Sequence, residues 1–178
     1  MSIHWHPLMP TQFGKYSVIS AMATNLFSET EDAIGGRAVL LPIKPKYASL
    51  ILAGTKKVEL RRSWPAQRVG ALVLYASSPV QKLVGVAYVE KVVQCDLASL
   101  WEIAAANGAG VTYEELKLYL REKKQAFGVM INRVAVAEVA VDPWGIFKNF
   151  SPPQSPSFIQ AVEFQKIIKK MFPPEILT

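Results

Sequence analysis

Between residues 38 and 93, four strand-like runs follow one another with a single short helical segment among them, and this clustering constrains the fold more than any other feature. Residues 38–43 (AVLLPI) and 71–76 (ALVLYA) are continuous apolar runs, the pattern of buried strands. Residues 57–62 (KVELRR) alternate strictly, so that Val58 and Leu60 face one side while Lys57, Glu59 and Arg61 face the other. Residues 83–93 form a longer run in which Gly85 marks a bulge or bend, and residues 129–141 alternate again. A doubly wound sheet places a helix between successive strands. Clustered strands instead predict an α+β fold, a small β-barrel of about five strands flanked by helices.

The helical segments carry their own punctuation. Pro45 suits the first position of a short helix and Gly54 the left-handed position just past its end, with Tyr47, Leu50 and Ile51 on one face. Its positive N-terminal end lies beside Lys44 and Lys46. Asp96 caps a helix running to about Asn107, and Gly108 ends it. Thr112 and Glu115 form a capping box for the next helix, expected to close at Gly128. A Pro-rich loop at 151–156 leads to a last helix from near Ser157, which stops before Pro173.

Residues 1–36 show no sustained period and end in Gly35-Gly36, which predicts a loosely ordered extension ahead of one domain spanning 37–178. An apolar fraction of 51% with 19% charged residues is core-forming and excludes a wholly disordered chain. No run approaches the roughly 18 apolar residues of a membrane span, and the first residues lack the pattern of a secretory signal, so a cytoplasmic protein without membrane contact is expected. A single cysteine, Cys95, excludes an internal disulfide framework and a thiolate zinc site. His4 and His6 lie two apart with no third ligand near them, so neither a metal nor another cofactor is expected.

The net charge of +6 is concentrated in one stretch: residues 37–70 hold eight basic residues against the single acid Glu59. Such a focus attracts phosphates and other anions. There is no glycine-rich phosphate loop and no Gly-x-Ser-x-Gly elbow, and both histidines lie in the extension. Any acid–base chemistry in the domain therefore falls to carboxylate, lysine or tyrosine. Lys44, Lys56, Glu59, Arg61 and Tyr75, with Ser77 and Ser78, make the constellation that could carry it. By spacing alone, this group is either a surface ion-pair network or the wall of a cleft.

The run from Ile43-Lys44-Pro45-Lys46-Tyr47-Ala48 to Gly54-Thr55-Lys56-Lys57-Val58-Glu59-Leu60-Arg61 resembles the signature of the ASCH domain family, Gly-x-Lys-x-x-Glu-x-Arg after a short helix. Tyr75-Ala76-Ser77-Ser78-Pro79-Val80 and Pro152-Pro153-Gln154-Ser155 are similar to later elements of one branch, so the resemblance covers about residues 38–158. It implies a PUA-like β-barrel with a cleft between barrel and helices, proposed to bind RNA. Some members are proposed as transcription coactivators, a shorter branch resembles amidohydrolases acting on acylated cytidine, and others are described as ribonucleases. By the resemblance, Lys44, Lys56, Glu59 and Arg61 line the cleft, and Tyr75, Ser77, Ser78 and Gln154 complete it. The chain departs from the amidohydrolase branch, in which the lysine matching Lys56 works with a threonine where Glu59 stands and a glutamate near Ala109.

Three functions of different class follow. The first is a module for single-stranded RNA or a nucleotide-like ligand, with Lys44, Lys46 and Lys56 at phosphates, Tyr47, Trp64 and Tyr75 stacking on bases, and Glu59 and Arg61 reading a base edge. The second is a metal-free hydrolase of RNA or a modified nucleoside, with Lys56 and Glu59 as the catalytic pair. A binder of a small anionic metabolite or a partner protein is the third.

Overall fold

The computed structural model of the chain describes residues 34–173. Among them, six strands form one sheet in the order β2-β5-β4-β3-β1-β6, with four helices packed on it. The strands are β1 (Arg37–Ile43), β2 (Val58–Arg61), β3 (Val69–Ala76), β4 (Lys82–Cys95), β5 (Ala126–Val141) and β6 (Ser157–Phe158). The helices are α1 (Pro45–Leu52), α2 (Leu97–Ala106), α3 (Tyr113–Tyr119) and α4 (Ala161–Met171). Strands β1 and β3 pair in parallel and the other pairings are antiparallel. The class is α+β.

The expected barrel of about five strands is instead a curled, six-stranded half-barrel sheet with edges at β2 and β6. The additional strand comes from Ser157 and Phe158, which pair with Leu40 and Val39 where a helix start was expected. Pro152, Pro153 and Pro156 hold this segment extended. The helix begins only at Ala161, where the Glu163 carboxylate accepts from the Gln160 N–H at 2.8 Å and closes a capping box. The helix after Thr112 also differs from expectation: it ends at Tyr119, and Gly128 belongs to β5, opposite Leu60 and Val93. A Cβ at Gly128 would stand 3.0 Å from Leu100 Cδ1, so close packing rather than a helix stop calls for glycine there.

Every residue of β3 is buried, as its continuous apolar run predicts. Ala71, Val73 and Tyr75 pack on one face with Leu40, Val86 and the α4 residues Phe164 and Ile167. Leu72, Leu74 and Ala76 pack on the other with Leu41, Val129 and Ile51 of α1. A third cluster joins Val58 and Leu60 to Leu100 and Ala104 of α2 and to Leu116 and Leu120 around α3. Each such side chain contributes about 1.5–3 kcal/mol when fully buried, so β2 is anchored by Val58 and Leu60 and its charged residues project to the opposite face. Ile34, within the segment expected to be loosely ordered, is buried in the first cluster. His4, His6 and the rest of the extension through residue 33 lie outside the described residues.

Candidate functional site

Helix α1 fixes the approach to the site. Pro45 occupies its first turn, Ala53 caps it, and Gly54 follows at φ +74, a backbone conformation that costs glycine nothing. The Thr55 and Lys56 N–H groups both donate to Leu50 O, and Thr55 Oγ1 adds a third donor to that carbonyl. Lys57 N–H then donates to Asn107 O at the end of α2. The next residue, Gly108 at φ +61, is pressed against this turn: a Cβ there would lie 2.2 Å from Thr55 O. Two helix ends are thereby locked together just before β2.

Lys56 emerges from this turn directed inward and is only 3% exposed. Its Nζ donates to Ala109 O at 2.8 Å and lies 3.4 Å from Glu59 Oε2 and 5.4 Å from the Tyr47 ring centroid. Glu59 is 6% exposed, and its other oxygen lies 3.0 Å from Arg61 Nε. The Arg61 Nε–H is not aligned on that oxygen, so this contact is an ion pair without a hydrogen bond. Arg61 Nη2 instead donates to Pro42 O of β1 at 2.7 Å. In sheet order three strands separate β2 from β1, so this one side chain ties the curl across its open side. Burial holds the Lys56 ammonium below its ordinary pKa and Arg61 pushes the same way, while Glu59 opposes them.

These residues form the floor of a cleft of about 400 Å³. Pro42, Ile43 and Lys44 line one side, Tyr47 of α1 another, and Val111, Glu115, Leu116, Leu118 and Tyr119 the far wall. The N-terminal end of α1, its first residue a proline, opens beside exposed Lys44, a combination that favours an anion. On the far wall, the capping hydrogen bond from Thr112 holds the Glu115 carboxyl below its usual pKa, with Lys46 and Lys44 adding to the effect. The volume falls within the range of small-ligand sites, roughly 300–1,000 Å³.

Of the residues expected at a site, Lys44, Tyr47, Lys56, Glu59 and Arg61 come together here. Lys46 is exposed, its Nζ 5.5 Å from the Tyr47 ring centroid, and is not part of the wall. Tyr75 lies on the opposite face of β3, buried against Phe150 with ring centroids 5.4 Å apart, and its hydroxyl has no partner among the described residues. Ser77 sends its N–H to Ile43 O, Ser78 is exposed in the next turn, and Gln154 is exposed in the loop before β6; none of the three lines the cleft. Sequence reasoning did not foresee the contribution of α3. In the structure Leu118 and Tyr119 are 66% and 42% exposed, apolar side chains away from Leu116 and Leu120, which pack inward. Ala109, near which the resemblance places the later glutamate of the amidohydrolase branch, offers Lys56 a backbone carbonyl.

Among the described residues, no three His, Cys, Asp or Glu side chains are grouped to hold a metal ion, and no helix is long and apolar enough to cross a membrane. A model of the ASCH domain matches residues 41–139. An ASCH domain-containing ribonuclease from Zymomonas mobilis is 30% identical over 136 residues, covering 74% of this chain and 90% of that protein. The crystal structure of an ASCH protein from Zymomonas mobilis matches this fold with a TM-score of 0.69 at 26% identity, over 75% of this chain and 94% of that one. A serine-to-alanine variant of the Zymomonas protein matches with a TM-score of 0.70 at 26% identity, over 75% and 95% of the two chains.

Proposed function

This chain belongs to the ASCH domain family, and from that premise we propose that its cleft binds single-stranded RNA. The observation that carries the reading is the buried Lys56–Glu59–Arg61 triad at the floor of a nucleotide-sized cleft whose rim is cationic at Lys44. A phosphate sits at Lys44 and the N-terminal end of α1. An unpaired base enters between Tyr47 and Tyr119, where stacking is worth about 1–3 kcal/mol per base. Arg61 and Glu59 then present a donor and an acceptor to the base edge, the means by which single-stranded RNA is read. The link from Arg61 to Pro42 also supports reading the curled sheet as a barrel of the PUA-like kind.

A second reading, cleavage of the bound RNA, is favoured by the ribonuclease named among the relatives and by the lowered pKa of Lys56. A lysine whose pKa is lowered by burial can serve as a general base. In this reading the Lys56 amine takes the proton of a ribose 2′-hydroxyl, and that oxygen forms a bond to the adjacent phosphorus. The bond from phosphorus to the 5′-oxygen breaks, and the Lys44 ammonium returns a proton to the departing oxygen. The products are a 2′,3′-cyclic phosphate and a free 5′-hydroxyl. One experiment tests both readings: titrate the full chain with end-labelled RNA and with the matching DNA, following complex formation and product length together. RNA bound over DNA supports the first reading, and a cyclic-phosphate product adds the second. Equal indifference to both nucleic acids removes the first reading.

A further inference from the structure

A second pocket, of about 420 Å³, opens on the same face of the sheet. Its walls include Trp64 and Arg68 from the loop between β2 and β3, Lys91 and Gln94 of β4, and Phe127 of β5. The strand register joins it to the cleft. Arg61, which lines the cleft, is directly opposite Phe127, and Phe127 is directly opposite Gln94. Residues opposed in this way share a face, and each step between strands spans about 4.8 Å. The two hollows are therefore neighbours along one surface. Trp64 is half-buried against the core beneath α1 and leaves the rest of its ring to the pocket. Arg68 is exposed and forms no ion pair among the described residues, Glu90 is the one acid of the lining, and Lys91, opposite Met130 and so in register with Val58, belongs to the other face of the sheet.

We propose that this pocket is a second subsite for the RNA strand held in the cleft: a neighbouring base stacks on Trp64 and Phe127, and the connecting phosphate lies against Arg68. The proposal rests on the reading of the cleft as an RNA site. Two aromatic rings beside an unpaired cation are what single-strand grooves use, because every base has a face to stack and every link carries a charge. This makes the site an extended groove, with the cleft engaging one nucleotide and the pocket a second beyond Arg61.

Ligand length tests it. The full chain is titrated with a dinucleotide and with a single-stranded RNA of about eight nucleotides, a length within the span of single-strand sites. The variant Arg68→Gln, which touches only an exposed side chain, should bind the dinucleotide like the parent and the longer RNA less tightly. Its logarithmic salt slope on the longer RNA should fall by about 0.7, the value of one phosphate contact. Trp64→Ala should weaken the longer RNA by about 5- to 150-fold, the range of one lost stack, and Trp64→Phe should recover most of it. The charge variant decides the matter even if Trp64→Ala fails to fold. An Arg68→Gln protein that binds the longer RNA like the parent, or loses the dinucleotide equally, overturns the second subsite and leaves the cleft reading standing. A parent that binds neither RNA removes the cleft reading, and the subsite with it.

Discussion

Replacing Glu59 by glutamine keeps shape and removes one charge, and the structure sets what should follow. The carboxylate is buried between two cations, 3.4 Å from Lys56 Nζ and 3.0 Å from Arg61 Nε. Removing one partner of a buried ion pair costs about 3–5 kcal/mol, because the remaining charge is left uncompensated. Lys56 can relieve part of this by releasing its proton: burial already lowers its pKa, and Glu59 is the group that opposes the lowering. The loss should therefore fall at the lower end, about 3 kcal/mol at neutral pH, or about 6–12 °C in melting temperature for a chain of this size. It should shrink as pH rises, since a neutral Lys56 no longer needs a counter-ion. Thermal melts of parent and variant at about pH 7 and about pH 9 measure both effects. Below the melting temperature, the variant should lose selectivity among short RNAs by about 5- to 150-fold, the value of one misread base edge. A Glu59→Gln protein that melts with the parent at both pH values would refute the buried triad. One that binds every oligonucleotide slightly better, with selectivity intact, would show that Glu59 merely tempers a cationic surface.

Other outcomes follow from the same geometry. Lys44→Ala should leave the melting temperature unchanged, because the side chain is exposed, and should lower the logarithmic salt slope of RNA binding by about 0.7, read from titrations at several salt concentrations. Because the folded pKa of Lys56 lies below 10.5, the unfolded chain binds more protons between the two values, and the stability contribution of this group rises with pH across that window. Subtracting the pH–stability profile of Lys56→Met from that of the parent isolates this rise, and a flat difference contradicts it. Tyr75→Phe removes a buried hydroxyl without a partner among the described residues, so stability should hold or rise by up to about 1 kcal/mol and RNA binding should be unchanged. Loss of binding in that variant would return Tyr75 to the site.

Local chemistry made part of this site legible in the sequence. Alternation along 57–62 is enough to separate Val58 and Leu60 from Glu59 and Arg61, because a strand has a period of two and an apolar layer takes one set. Pro45 and Gly54 bound α1 because each suits a backbone position that few other residues tolerate. What depended on distant packing was not legible. Tyr119 faces the cleft because Leu116 and Leu120 dock on the far side of β2, a contact that no local pattern encodes. Tyr75 sits in a run that is apolar on both faces, so its sequence neighbours do not say which face it joins. Gly128 resembles a helix stop, but its reason is the nearness of Leu100. The burial of Lys56 follows from a carbonyl supplied by Ala109, more than fifty residues away.

The most direct measurement is an amide chemical-shift map of the full chain titrated with a single-stranded RNA of about four nucleotides, near the lower limit of single-strand sites. The account predicts the largest shifts at residues lining the cleft, Ile43, Lys44, Tyr47, Lys56, Val111 and Tyr119, with smaller ones at Trp64 and Phe127 of the neighbouring pocket. Saturable shifts confined to another surface, such as the face of α4 or the surroundings of Tyr75, would contradict it.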